Sequence, residues 1–279
     1  MIVAGGRMRG HETRDLQLKL PQKRVHIDID PEAFGRTYDA DHYHVGEVGA
    51  ALSALADRLG GRMAVAPGWA DTIAGTREAV HAAYRPTLGP YADFAKIIRD
   101  VMPDDAYWVR DSTIANSTWG SRYLPLSAPE QNIYPVGAAI GPGYQMGIGA
   151  AMADRSRKTV AMTGDGGFYL NMTELWTAAQ EKADVVIMVM NDQGYGVIKD
   201  IQDTLYGGRH YAADPIGPDL EGLAKLANMP FWRISALDEL GPKLTEAIAV
   251  DGPALVEVDM MQFGPYPPYF VAPPYAAKK

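Results

Sequence analysis

Short apolar runs alternate with helical patterns along most of this chain. Residues 159–163 (TVAMT) and 184–190 (DVVIMVM) are brief, nearly continuous apolar stretches of the kind that form buried strands. Residues 106–111 (AYWVRD), 231–234 (FWRI) and 254–258 (ALVEV) read the same way. Between them the spacing predicts helices over 91–102, 144–154, 172–182, 195–206, 220–227 and 237–250, the first of these stopped by Pro103. Asn171, with Glu174 three residues later, suits a capping box at the start of the third. Regular alternation of strand and helix across 106–258 predicts an α/β fold built on a doubly wound parallel sheet.

The first part of the chain is sparser. Residues 1–7 predict a strand that runs into a Gly-Gly turn, and residues 24–31 (RVHIDIDP) a strand of alternating character ended by Pro31. A helix with Ala and Leu on one face follows over 48–59. Residues 60–90 mix Gly, Pro and a helical stretch over 70–83, as a linker with a helix would. The expected division is therefore 1–62, a linker over 63–89, a main domain over 90–262, and a Pro- and Tyr-rich tail over 263–279. That tail would cap a site, lie on a partner chain or extend over the surface.

With 279 residues, 47% of them hydrophobic, the chain can bury a sizeable core. A net charge of −8 speaks against a general nucleic-acid surface. The absence of cysteine removes disulfides, thiolate catalysis and Cys-ligated zinc, and is compatible with a cytoplasmic protein. No apolar stretch reaches about 18 residues, so no membrane partner is expected. The first residues lack the features of a secretory signal.

The chemistry concentrates between two strand ends. Gly164-Asp165-Gly166-Gly167-Phe168 follows one apolar run, and Asn191-Asp192-Gln193-Gly194-Tyr195-Gly196 follows the next. A right-handed crossover brings both loops to one edge of the sheet, where open α/β sheets bind ligands. Gly164, Gly166 and Gly167 would let backbone amides approach an anion, as in a nest. Two hard carboxylate ligands, Asp165 and Asp192, suit Mg²⁺ carrying a diphosphate, because Mg²⁺ takes few protein ligands and shares phosphate oxygens. GDG alone also fits an ordinary turn. A Mg²⁺-dependent phosphohydrolase is a further alternative; it needs a carboxylate cluster and a cation such as Lys199 or Arg209. The polar loop over 111–119 offers Ser112, Thr113 and Asn116 at another strand end.

The two motifs together resemble the cofactor-binding segment of thiamine-diphosphate enzymes, which begins GDG and ends NN or a close variant. By position, the resemblance implies metal ligation by Asp165, Asp192 and the carbonyl of Gly194, with Asp192 standing where Asn is commoner. It implies cofactor contacts from Gly164, Gly166, Gly167, Phe168 and Tyr195, and from Ser112 and Asn116 after the earlier strand. Ile140 occupies the position of the aliphatic wedge between the two thiamine rings. The carbonyl of Ala138, where the family usually has Gly, would accept from the aminopyrimidine. The thiamine-diphosphate-binding fold is then the expected form of the main domain.

Residues 1–62, with their HIDIDP strand, resemble the C-terminal part of the middle domain of acetolactate-synthase-like enzymes, a partial Rossmann-like domain. In relatives it sometimes holds FAD or ADP, but a Rossmann-like site needs more sheet than these residues supply. The resemblance implies a 2-oxo acid substrate that is decarboxylated, with or without ligation of the product to a second carbonyl. Benzoylformate-decarboxylase-like chemistry is the alternative, and a non-catalytic scaffold subunit a third. The family's activating Glu belongs to an N-terminal pyrimidine-binding domain with no counterpart here. The expectation is a cofactor-binding half that needs an N-terminal partner subunit or fragment, in a homo- or hetero-oligomer.

Overall fold

The computed structural model describes residues 1–13 and 15–268. The chain divides into two compact units, Met1–Gly75 and Thr76–Lys279.

In the first unit, β1 (Ile2–Ala4), β2 (Val25–Asp28) and β3 (His42–Val45) form a parallel sheet in that order. Val25 aligns with Ile2 on one side and His42 on the other. Central β2 buries His26, Ile27 and Asp28, whereas every residue of β3 is exposed. That exposure explains why HYHV carries no apolar signal that would predict a strand. Helix α1 (Val48–Leu59) is capped by Glu47, whose carboxylate accepts the amides of Gly49 at 2.9 Å and Ala50 at 2.6 Å. Helix α2 (Trp69–Tyr84), within which the first unit ends and the second begins, occupies the stretch predicted over 70–83.

The second unit holds α3 (Phe94–Val101), β4 (Tyr107–Arg110), β5 (Asn132–Ile133), α4 (Gly143–Ala153), β6 (Thr159–Gly164) and α5 (Asp165–Leu170). Then follow α6 (Glu174–Glu181), β7 (Val185–Asn191), α7 (Gly196–Tyr206), α8 (Leu220–Leu226) and β8 (Phe231–Ile234). Helix α9 (Leu237–Ile248), β9 (Ala254–Asp259) and α10 (Met260–Phe263) complete it. The six strands are parallel, in the order β5-β4-β6-β7-β9-β8.

Alternate strand residues feed two buried layers, as the two-residue period of a strand requires. Val160, Met162, Val186, Met188 and Met190 pack with α3 and α9; Ala161, Val185, Ile187 and Val189 pack with α4, α6 and α8. Burial on both faces is why these strands read as continuous apolar runs. Gly147 is needed for the closeness of α4 to the sheet, since a Cβ there would lie 2.6 Å from that of Ala161. Gly149, on the same helix, faces open space.

Three expectations are corrected. The helix predicted from 91 starts at Phe94, because Gly89 (φ +55) and Pro90 hold the preceding residues in a tighter turn. The helix predicted over 172–182 is α6 alone, and no capping box forms. The Asn171 side chain donates instead to the Gly141 carbonyl at 3.3 Å, and the Glu174 carboxylate accepts from Thr177. The start of the predicted tail belongs to the core of the second unit. Tyr266 stacks on Tyr91 with ring centroids 3.9 Å apart, and its hydroxyl accepts from the Trp119 indole at 2.7 Å. The remainder of the tail, 269–279, lies outside the described residues.

Candidate functional site

Strand β4 pairs with β5 on one side and with β6 on the other. This reversal opens a crevice at the carboxyl ends of β4 and β6, the usual ligand position in such sheets. Asp111, directly after β4, knits the crevice together, a role that no motif in the sequence marks. Its carboxylate accepts the Ser112 amide at 2.7 Å, the Gly141 amide at 3.0 Å and the Thr163 hydroxyl at 3.0 Å. Burial pushes this carboxyl up, and the Gly141 and Ser112 amides oppose the shift. The available signal is an acidic residue ending an apolar strand.

Asp165 and Asp192 come together at the neighbouring strand ends. Asp165 is 2% exposed; its Oδ1 accepts the Gly166 amide at 2.7 Å and its Oδ2 the Gly194 amide at 3.0 Å. Burial first, and the charge of Asp192 second, push the Asp165 carboxyl up to about 7. Burial also raises Asp192, against a hydrogen bond from Asp165 and the charge of Lys199. Two desolvated carboxylates facing each other form a site short of positive charge. Hard oxygen donors in that state suit a divalent cation that keeps few protein ligands. Among the described residues no group of three or more His, Cys, Asp or Glu side chains is placed to hold a metal. The Asp165–Asp192 pair therefore requires oxygens from backbone, water or ligand to complete any coordination. It also leaves the phosphohydrolase alternative without its carboxylate cluster.

The glycines serve close approach rather than an irregular nest. Asp165–Leu170 is helical, and Gly164, Gly166 and Gly167 all have negative φ. A Cβ at Gly166 would lie 2.6 Å from the Tyr195 ring, one at Gly167 2.6 Å from Asp111 Oδ2, and one at Gly164 3.0 Å from Thr113 Oγ1. The anion-binding nest expected from these residues is thus replaced by the first turn of α5, pressed against the Asp111 and Tyr195 loops. Phe168 is fully buried beneath it, against Tyr144.

The loop before α4 borders the same crevice. Ala138 adopts φ +59 between Gly137 (φ +84) and Gly141 (φ +103), a left-handed conformation that glycine takes without penalty. Ile140 is 60% exposed, a large apolar side chain left uncovered beside a buried polar cluster. Ser112 Oγ lies 3.0 Å from the Tyr134 hydroxyl. Asn116 is buried, its Oδ1 accepting from Arg110. Thr113 reaches the GDG turn; the Asn116 side-chain carbonyl is committed to Arg110.

On the other side of Asp192 lies a cleft of about 340 Å³ whose lining includes Lys199, Asp203, His210, Met260 and Tyr266. Lys199 pairs with Asp214 at 2.6 Å, and His210 with Asp203 at 2.8 Å. Arg209 donates to the Tyr206 carbonyl. No helix among the described residues is long and apolar enough to cross a membrane.

Comparison with known proteins places the chain in a family. Residues 114–258 match the family described as thiamine pyrophosphate enzyme, C-terminal TPP binding domain. The probable acetolactate synthase large subunit of Methanococcus aeolicus is 27% identical over 277 residues, covering 92% of this chain and 46% of its own. Acetolactate synthase isozyme 3 large subunit of Escherichia coli is 29% identical, with 93% and 47% covered. Benzoylformate decarboxylase of Pseudomonas aeruginosa is 28% identical over 61% of this chain and 32% of its own. Among solved structures, the thiamine diphosphate-dependent 4-hydroxybenzoylformate decarboxylase of Rhodococcus jostii RHA1 superposes with a TM-score of 0.66. Its identity is 25%, with 86% of this chain and 44% of that one covered. The chain spans about half the length of the curated relatives it matches.

Proposed function

The chain belongs to the thiamine pyrophosphate enzymes and carries their C-terminal TPP-binding domain, and from that premise we propose that it forms the diphosphate-anchoring half of an enzyme acting on a 2-oxo acid. The observation that carries the proposal is the pairing of buried Asp165 with half-buried Asp192 at the ends of adjacent strands. In this reading Asp165, Asp192 and the Gly194 carbonyl would hold Mg²⁺, which would offset the charge of the cofactor's diphosphate. Gly164, Gly166 and Gly167, with Phe168 and Tyr195, would line the diphosphate end of the crevice. Exposed Ile140 would serve as the apolar wedge against the cofactor's rings, and the Ala138 carbonyl would accept from its amino group. Ser112 and Asn116 line the crevice from β4. Thiamine diphosphate held there would supply a carbon nucleophile and an electron sink for decarboxylation.

The work of this chain is positional. Asp165 and Asp192 neutralise the cation, Asp111 ties together the loops that form the walls, and apolar Ile140 excludes water from one side. The proton-relaying Glu that activates the cofactor in this family comes, in our reading, from outside this sequence. Its source is either a longer form of the same chain or a separate N-terminal subunit. The assembly is then a homo- or hetero-oligomer, and a cysteine-free composition suits a cytoplasmic setting. Acetolactate-synthase-like carboligation is favoured because those relatives cover 92% and 93% of the chain. Simple decarboxylation, as in the benzoylformate decarboxylase relatives, is the second reading.

Calorimetric titration of the chain with thiamine diphosphate, with and without Mg²⁺, tests the proposal. Mg²⁺-dependent binding that disappears in Asp165→Ala is expected. A wild-type chain that takes up neither component would leave a scaffold role in its place.

A further inference from the structure

We infer that Glu257, buried in β9, is a positioning residue for the Asp192 turn and hence for the divalent cation; the inference rests on the cofactor reading above. Glu257 interrupts an otherwise apolar strand, between Val256 and Val258, and is 6% exposed. A buried carboxylate is costly unless its oxygens are paired, and an apolar residue would serve packing alone at least as well. Its two oxygens have two different partners. Oε2 accepts from Arg233 Nε at 2.8 Å, and Oε1 accepts from Asn191 Nδ2 at 2.7 Å.

The second contact points at the site. Glu257 aligns with Val189 on β7, and Asn191 lies two residues further along that strand, on the same face. The Asn191 amide is thereby held with its Oδ1 toward the turn, where it accepts the Gln193 amide at 3.1 Å. Gln193 has φ +53, a left-handed conformation that needs such support in a non-glycine residue. The turn so braced runs from Asp192 to Gly194, the two groups proposed as cation ligands from β7. Arg233 fixes the rotamer of Glu257 from the outer side, where its own side chain is partly exposed near Asp219 and Glu221. The chain Arg233–Glu257–Asn191–Gln193 therefore links the β8 edge to the spacing of two ligands without touching the cation. Groups in that position commonly change metal affinity by about 10- to 100-fold when lost.

The test uses Mn²⁺ titrations of the full chain with thiamine diphosphate present, on wild type, Glu257→Gln, Asn191→Ala and the double variant, each with a thermal unfolding midpoint. Glu257→Gln keeps the shape and an acceptor for Asn191 but loses the charge that engages Arg233. Expected is a several-fold weaker cation affinity in Glu257→Gln and roughly a 10- to 100-fold loss in Asn191→Ala. The double variant should be no weaker than Asn191→Ala alone, because both act through one contact. Asn191→Ala keeps the inference testable should the strand substitution fail to fold. Lower unfolding midpoints with cation affinity within about twofold of wild type would overturn it, leaving Glu257 as a structural ion pair. Absence of binding in wild type itself would remove the cofactor reading, and this inference with it.

Discussion

Asp165 Oδ2 accepts the backbone amide of Gly194 at 3.0 Å, joining two turns 29 residues apart in sequence. The bond fixes the carboxylate against the backbone whose carbonyl is proposed as a fellow ligand. Asp165→Asn deletes the charge and keeps one acceptor oxygen for two amides, those of Gly166 and Gly194. It should fold within about 1 kcal/mol of wild type without metal, the lost acceptor offset by the relieved carboxylate repulsion, yet show no Mg²⁺-dependent thiamine diphosphate binding where wild type saturates. Calorimetry beside a urea unfolding curve checks both halves; retained Mg²⁺-dependent binding contradicts the ligand assignment.

The same carboxylate predicts a pH dependence. Asp165 is raised to about 7 in the fold, from an ordinary value of 3.8. Between those limits the native state holds a proton that the unfolded chain has released, so metal-free stability should fall as pH rises from about 4 to 7 and level off above. A tenfold difference in proton affinity between the folded and unfolded chains corresponds to about 1.4 kcal/mol of stability. Urea unfolding of wild type and Asp165→Asn at pH 5 and pH 8 isolates the effect. The wild-type loss should exceed that of the variant, and Mg²⁺ with thiamine diphosphate should restore stability at pH 8.

Two glycines of opposite character offer a steric test. Gly167→Ala drives a Cβ to 2.6 Å from Asp111 Oδ2 and should cost about 1–3 kcal/mol. Gly149→Ala, in the exposed face of α4 with nothing within 4 Å, should gain roughly 0.5–1 kcal/mol. Unfolding midpoints in denaturant compare them directly. A Gly167→Ala protein as stable as wild type would mean the α5 turn has slack that the geometry denies.

Ala138 carries backbone strain at φ +59. Ala138→Gly should raise stability, by up to about 1 kcal/mol, since left-handed geometry costs an L-residue about 1–2 kcal/mol and the greater freedom of unfolded glycine offsets part of the gain. Differential scanning calorimetry reads the change; a lower midpoint would mean that the Ala138 methyl makes a compensating contact.

Tyr266 tests the anchored start of the tail. Tyr266→Phe keeps the stack on Tyr91 but removes the acceptor of the Trp119 indole, and should cost about 1 kcal/mol. Tyr266→Ala, which removes the stack too, should cost about 3–5 kcal/mol. Equal stability of all three proteins would detach this segment from the core.

What the chain's own pattern determined was five of the six strands of the second unit with the main helices between them, and the convergence of Asp165 with Asp192. Strands buried on both faces are continuous apolar runs, so β6, β7 and β9 announce themselves locally. A parallel crossover then leaves little choice about where their ends meet. Strand β3 is invisible in the sequence because it is exposed, and β5 because two residues make no pattern. The tertiary structure alone decided which polar residues hold the site in shape. Asp111 reaches Gly141, Glu257 reaches Arg233, and Asn191 reaches Glu257, over separations of 30, 24 and 66 residues that no local spacing encodes. It also decided why the GDG glycines are glycines. Their φ angles are ordinary, and what crowds out a side chain is the Thr113 hydroxyl at Gly164 and the Tyr195 ring at Gly166, both brought there by loops after other strands.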